Sequence, residues 1–212
     1  MKKSLAFIFA VMMMLSGTMA LAQEFSVGAG YVNSTQKISA VSLERSIPMN
    51  GVYAGIDYSY GLGMGFSIVP GVYYEFLTAP AKNIIPFGFI EAVSNYVDFK
   101  LDEHYVNVPV FFKYKTEITD GIKGFIYAGP TFSVGVSSKV KAGKLDILNT
   151  YKRGVFNQFD MEVGGGLGLD IYEVVRFTLG YDFGCFNRYA AGGSGAITIN
   201  RNQLRVGVSY LF

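Results

Sequence analysis

Apolar and polar side chains alternate with a period of two along most of this chain. Phe25, Val27, Ala29 and Tyr31 alternate with Ser26, Gly28 and Gly30, and Val52, Ala54, Ile56, Tyr58 and Tyr60 alternate with Tyr53, Gly55, Asp57 and Ser59. Such alternation predicts strands with one apolar face. The same reading gives a third strand over 66–76, a fourth over 105–114, a less regular fifth over 122–137, a sixth over 159–171 and a seventh over 175–185. An eighth closes the sequence, with Leu204, Val206, Val208, Tyr210 and Phe212 opposed to Gln203, Arg205, Gly207, Ser209 and Leu211.

The connections alternate in length. Segments 36–49, 78–103, 138–157 and 187–198 read as long loops, and 61–64, 116–121 and 172–174 as short turns. An even number of antiparallel strands with short turns on one rim and long loops on the other is the layout of an outer-membrane barrel. A soluble barrel would show the same alternation, but its polar set would face water. Here the polar set is mostly Gly and Ser with scattered single charges, too sparse for a solvated surface. The apolar set carries tyrosines near strand ends, including Tyr31, Tyr74, Tyr114 and Tyr210, where an aromatic girdle would sit. The expected fold is therefore all-β, an eight-stranded antiparallel up-and-down transmembrane barrel with its apolar face toward lipid.

The N-terminus fits export. Lys2 and Lys3 precede an apolar run from Leu5 to Leu15, and Ala20-Leu21-Ala22 forms a small-x-small cleavage pattern. Residues 1–22 are expected to be a signal peptide and 23–212 the barrel domain, residing in the outer membrane. Without Lys2 and Lys3 the basic and acidic residues are equal in number, so the basic isoelectric point of the whole chain gives no reason to expect a nucleic-acid partner. The single Cys185 rules out an internal disulfide.

An eight-stranded barrel is just wide enough for its side chains to fill it. The inward set includes Tyr53, Tyr73, Tyr105, Phe111 and Phe125, with charges at Asp57, Glu75, Lys113, Asp160, Glu162, Asp170, Arg176, Asp182 and Arg205. Paired carboxylates can serve acid–base chemistry, but buried charges persist when paired, and these residues are expected to form a polar network that fills the lumen. Asp170 and Arg176 flank the turn at 172–174 symmetrically and should face each other; Asp182 and Arg205 form a looser pair. This inner set holds more acids than bases, so Glu75 or Asp160, placed near the outer rim, are candidates for water or a cation.

"YVNVPVFFKYK" (105–115), "FIYAGPTFSVGV" (125–136), "FDMEVGGGLGLDIY" (159–172) and the terminal "NQLRVGVSYLF" resemble the successive motifs of the PorT-like outer-membrane β-barrel family. The resemblance implies a small outer-membrane barrel of Bacteroidota-type Gram-negative bacteria, some relatives of which are associated with secretion of surface proteins. It transfers no binding site, because the shared motifs are barrel walls. The terminal strand, with Tyr210 and Phe212, also resembles the C-terminal signal by which the barrel insertion machinery recognises its clients.

Two other motifs have a simpler structural reading. "VGGGLGLD" has two glycines of a dinucleotide fingerprint, but Leu169 holds the third position and no helix follows; its glycines instead make room for aromatic side chains inside the barrel. Lipid-modifying barrels need a His-based nucleophile, and the one His, His104, enters the fourth strand beside Asp102 and Glu103 with no serine close in sequence. No catalytic residue, metal ligand or cofactor site is assigned. An enzyme using His104 and an accessory role in secretion stand as alternatives to a structural or surface-binding protein. Specific contacts belong to the loops: Ile84, Ile85, Phe87, Phe89 and Ile90 form an apolar tip fit for a lid, lipid or a protein partner. Lys139, Lys141, Lys144, Lys152 and Arg153 make the third loop basic, either solvated or meeting lipopolysaccharide phosphates. Pro70, Pro109 and Pro130 fall inside strands, where bulges or broken ladders are expected.

Overall fold

The computed structural model describes residues 23–40, 43–80, 99–142, 145–152, 156–189 and 197–212. Their strands are β1 (Gln23–Ala40), β2 (Leu43–Gly63), β3 (Phe66–Pro80), β4 (Phe99–Thr119), β5 (Ile122–Ala142), β6 (Leu145–Asn149), β7 (Phe159–Ile171), β8 (Val175–Gly184) and β9 (Ile197–Leu211). Eight of them form a closed antiparallel ring in the order β4-β3-β2-β1-β9-β8-β7-β5, with β5 returning to β4. β6 stands outside the ring as a short ribbon on the end of β5. Closure leaves the ring without an edge strand, the condition for spanning hydrocarbon.

One rim is made of tight turns. Gly63, Met64 and Gly65 all have positive φ between β2 and β3; Gly121 does so between β4 and β5; Tyr172 and Glu173 (φ 51° and 54°) reverse the chain between β7 and β8. Two successive left-handed residues match the right-handed twist of the flanking strands. The strands themselves are longer than the alternation indicated. β1 and β2 pair from Gln23↔Tyr60 to Ala40↔Leu43, so the long loop expected at 36–49 is a hairpin extension instead. Likewise β5 runs to Ala142 and β9 starts at Ile197, inside the expected loops at 138–157 and 187–198.

The polarity of the wall reverses along its height. Near the turn rim, Phe25, Val27, Val52, Ile56, Ile68, Val110, Phe112 and Val208 are exposed on the outside, while Ser26, Lys113, Asp170 and Arg176 are buried within. Toward the other rim the outside carries Lys37, Ser39, Glu44 and Ser46. There the inside is an apolar cluster of Val32, Ile47, Met49, Leu77, Ala79, Leu101, Tyr105 and Val140. A membrane strand needs only about 9–11 residues, whereas β2, β4 and β5 each have 21. The surplus obeys the rule of a water-soluble barrel, apolar inside and polar outside.

The prolines interrupt the ladders without shifting register. Between β2 and β3 pairing lapses from Asp57↔Gly71 to Tyr60↔Ile68, beside Pro70. Between β3 and β4 it lapses from Pro70↔Val110 to Tyr73↔Asn107, and between β4 and β5 from Pro109↔Thr131 to Phe112↔Ala128. A missing donor breaks the ladder locally, while the continuous alternation of faces holds the register. The register shifts lie elsewhere, at Gly61/Gly63, His104/Tyr105, Glu117/Thr119 and Val140/Lys141.

Candidate functional site

The lumen is crossed by charged side chains at three heights, each set delivered by the period-two alternation of its strands. At the turn rim, Asp170 on β7 and Arg176 on β8 are directly opposed. The guanidinium donates to Asp170 through Nε at 2.7 Å and Nη2 at 2.8 Å, a bidentate pair. Arg176 also reaches Glu24 of β1 at 3.0 Å and Asp57 at 3.8 Å. Lys113 and Lys115 of β4 close on Glu24 from across the barrel, and the Tyr73 hydroxyl donates to Asp57.

The middle layer centres on arginines of β9. Arg201 Nε donates to Glu162 at 2.9 Å and lies 3.4 Å from Asp160, while its Nη1 lies 3.4 Å from Glu75. Arg205 meets Glu162 at 3.3 Å, Asp182 at 3.3 Å and Glu75 at 3.6 Å. Glu75 further accepts from Gln203 at 2.8 Å and Asn107 at 3.0 Å. Arginines thus lie beside both acids suggested from sequence as candidates for water or a cation: Glu75 is hydrogen-bonded, while Asp160 Oδ2, 3.4 Å from Arg201 Nε, makes no hydrogen bond among the described residues. Arg201, Arg188 and Lys115 add three bases to the set counted there, but Glu24 and Glu103 add two acids, so the acid excess narrows and does not vanish.

The outermost layer is built on Glu103, fully buried on β4. It accepts from Arg188 at 3.1 Å, Gln36 at 2.9 Å, Tyr105 at 2.7 Å and Ser138 at 3.1 Å. Arg188 follows β8, in a segment read as loop. Its N–H donates to the Ile199 carbonyl and its own carbonyl accepts from Asn157, which turns the side chain into the barrel over Phe156 and Tyr105.

Between the inner and middle layers lies a cavity of about 80 Å³, lined by Tyr53, Tyr73, Phe111, Phe125 and Tyr127 with Lys113, Arg176 and Arg205. Inward glycines shape the space beside it. A Cβ on Gly168 would collide with the Phe125 ring, and one on Gly180 with the Tyr127 hydroxyl, so the glycines of "VGGGLGLD" are niches for aromatics.

Sequence alternation located all nine proposed luminal charges on inward positions but stopped short of Glu24, Glu103, Lys115 and Arg201. Each of these continues the parity of its strand, as Lys115 follows Lys113 and Arg201 precedes Gln203 and Arg205. Arg188 carried no such signal. The apolar tip Ile84, Ile85, Phe87, Phe89 and Ile90 lies outside the described residues, as do Lys144 and Arg153. At the seam, Phe212 donates its N–H to the Phe25 carbonyl at 2.9 Å, and its ring lies 5.7 Å from Phe25 and 4.8 Å from Tyr210.

His104 is not in a loop. It sits on the outer wall, paired with Phe76 of β3 and Ser137 of β5. Its Nδ1 is 2.6 Å from the Tyr74 hydroxyl, and its ring lies against Phe76. Asp102 turns to Lys141 and Thr78, and Glu103 points into the lumen. A serine does stand across from His104, but among the hydrogen bonds of the described residues none joins it to Ser137. Among the described residues no group of three or more His, Cys, Asp or Glu could hold a metal ion.

A closed eight-stranded ring with an apolar outer belt and a charge-paired lumen defines an integral outer-membrane β-barrel, and its tight-turn rim is the periplasmic one. The sequence matches the model of the outer membrane protein beta-barrel domain over residues 18–210, and the chain belongs to that family. No curated relative matches it. Similar solved structures include the attachment invasion locus protein Ail of Yersinia pestis in complex with the heparin analogue sucrose octasulfate, at 12% identity and TM-score 0.48, covering 91% of this chain and 100% of that one. Neisserial surface protein A matches at 17% identity and TM-score 0.47, over 89% and 97%. The outer membrane enzyme PagL matches at 12% identity and TM-score 0.44, over 84% and 97%.

Proposed function

We propose that this barrel is a non-conducting, non-catalytic outer-membrane protein with a structural or partner-binding role at the cell surface. The observation that supports this most is the lumen: ion pairs cross it at three heights, and an apolar cluster fills its outer end. A water-filled pore would instead leave polar side chains solvated around an open axis. Purified protein reconstituted in planar bilayers should show no unitary conductance at moderate voltage; stable open steps would contradict the reading. Cross-linking on intact cells followed by mass spectrometry should then recover a protein joined through the outer rim, and cross-links confined to the barrel itself would leave the structural role alone.

A second reading, an accessory of a protein secretion system, draws on the four wall motifs that resemble the PorT-like family. The same cross-linking decides it, because it requires a secretion component among the captured partners. An enzymatic role for His104 is disfavoured by its geometry: Tyr74 takes one ring nitrogen, and the neighbouring carboxylates turn elsewhere. Replacing His104 with Ala should leave the lipid A mass spectrum of the cells unchanged, and a shifted acyl pattern would restore the enzyme.

A further inference from the structure

The outer wall carries a groove that the luminal network does not use. It is about 270 Å³ and is lined by Tyr74 of β3, Asp102 and His104 of β4, and Val136, Ser137, Lys139 and Lys141 of β5. Its position is informative. Tyr74 and Val136, 50% and 59% exposed, are among the last apolar side chains of the lipid-facing belt on their strands. One step further from the periplasm come Thr78, Lys100, Lys139 and Lys141. The groove thus spans the level at which hydrocarbon gives way to headgroups, on the external side of the membrane.

A local irregularity of β5 produces this arrangement. Below the groove its inward residues are odd-numbered, such as Phe125, Thr131 and Ser133; above it they are even-numbered, Ser138 and Val140. The switch coincides with the register shift between His104↔Ser137 and Tyr105↔Gly135, where one extra β5 residue is accommodated. Such a bulge re-aims the side chains that follow it. Without it Lys139 and Lys141 would point into the apolar cluster; with it they stand outside, 41% and 35% exposed. Lys139 lies 2.5 Å from Asp146 and Lys141 lies 2.7 Å from Asp102, so both ammonium groups are held in place. Lys100, paired with Lys141 across the strands, is a third outward cation. Three lysines against two aspartates leave the patch one positive charge in excess.

We propose that this groove seats the phosphate-bearing headgroup of an outer-leaflet glycolipid, with its phosphate between Lys139 and Lys141 and its acyl chains along Tyr74 and Val136. An anion supplies the missing charge, and the apolar floor supplies the chain contact that a soluble anion would not need. The proposal holds whether or not the barrel also has a protein partner, because the groove faces the bilayer and not the rim.

The test is lipid retention by the full chain in detergent micelles, read by native mass spectrometry with bis-phosphorylated lipid A and with the same lipid dephosphorylated. Wild-type protein should retain the phosphorylated form about fivefold more, the scale of two partly exposed charge contacts. The double variant Lys139→Gln/Lys141→Gln should bring that ratio close to one, and Lys139→Arg/Lys141→Arg should preserve it. Asp102→Asn/Asp146→Asn, which frees the ammonium groups, should raise it. Lys37→Gln, an outward lysine on β1 away from the groove, should leave it unchanged. Equal retention of the two lipids, an equal loss in Lys37→Gln, or displacement of the lipid by a soluble sulfated polysaccharide would each overturn the assignment. Heat-modifiable gel migration establishes that every variant is folded.

Discussion

Arg201 has no exposed side-chain surface and touches three carboxylates, Glu75, Asp160 and Glu162, while its guanidinium lies 4.1 Å over the Tyr105 ring. Arg201→Met should therefore cost about 3–5 kcal/mol, because it strands buried charges that no other cation can fully meet. The urea midpoint of the folded barrel in vesicles measures this. Adding Glu162→Gln and Asp160→Asn to Arg201→Met should recover part of the loss, since the lone charges leave with their partner. Phe212 is a residue of a different kind, 71% exposed and packed on Phe25 and Tyr210 across the seam where β1 meets β9. Each aromatic contact is worth about 0.5–1.5 kcal/mol, and we expect Phe212→Ala to lower the folded yield in vesicles while Phe212→Tyr retains it. These two positions also mark what was legible at this scale. Phe212 stood out in the alternation of the last strand, whereas Arg201 fell just beyond the predicted start of that strand and went uncounted.

At the scale of elements, the outer ends of β1 and β2 decide how far the barrel rises above the membrane. Ile47 and Met49 are buried there against Val32 and Leu77, with Glu44 and Ser46 outside. Met49→Ala should remove about 2–5 kcal/mol of packing at this end. Hydrogen exchange should show faster opening of the outer residues of β1 and β2, with little change near the turn rim, where the ion pairs are untouched. Residues 36–49 read as a loop because no apolar face there continues the one that holds Tyr31 and Val52. In the structure the apolar face changes sides above Tyr31, from the outward odd positions to the inward Val32 and Ile38, and the outward residues that follow are Asn33, Thr35 and Lys37. The alternation persists with its meaning reversed. In β5 the bulge itself flips the parity, so that Lys139 and Lys141, within a segment that reads as loop, are outward wall residues. By contrast the short turns were legible as breaks in the alternation; the structure narrows them to Met64–Gly65, Asp120–Gly121 and Tyr172–Val174, with positive φ at Gly63, Gly65 and Gly121.

For the whole molecule, the polar set of the alternation is too sparse to face water, and the closed ring with its exposed Val, Ile and Phe belt agrees. A barrel of this kind exchanges the usual roles of inside and outside over its membrane height and restores them beyond it. The most direct test of that claim is the accessibility of nitroxide labels placed along β2 in a Cys185→Ser background, in lipid vesicles. Val52→Cys should collide freely with oxygen and little with a polar nickel reagent, as a lipid-facing site does. Ser46→Cys should show the reverse, and Ile47→Cys should be shielded from both. Contradiction would come from a label at Tyr53 that is more oxygen-accessible than one at Val52, or from a label at Ser46 that reports hydrocarbon.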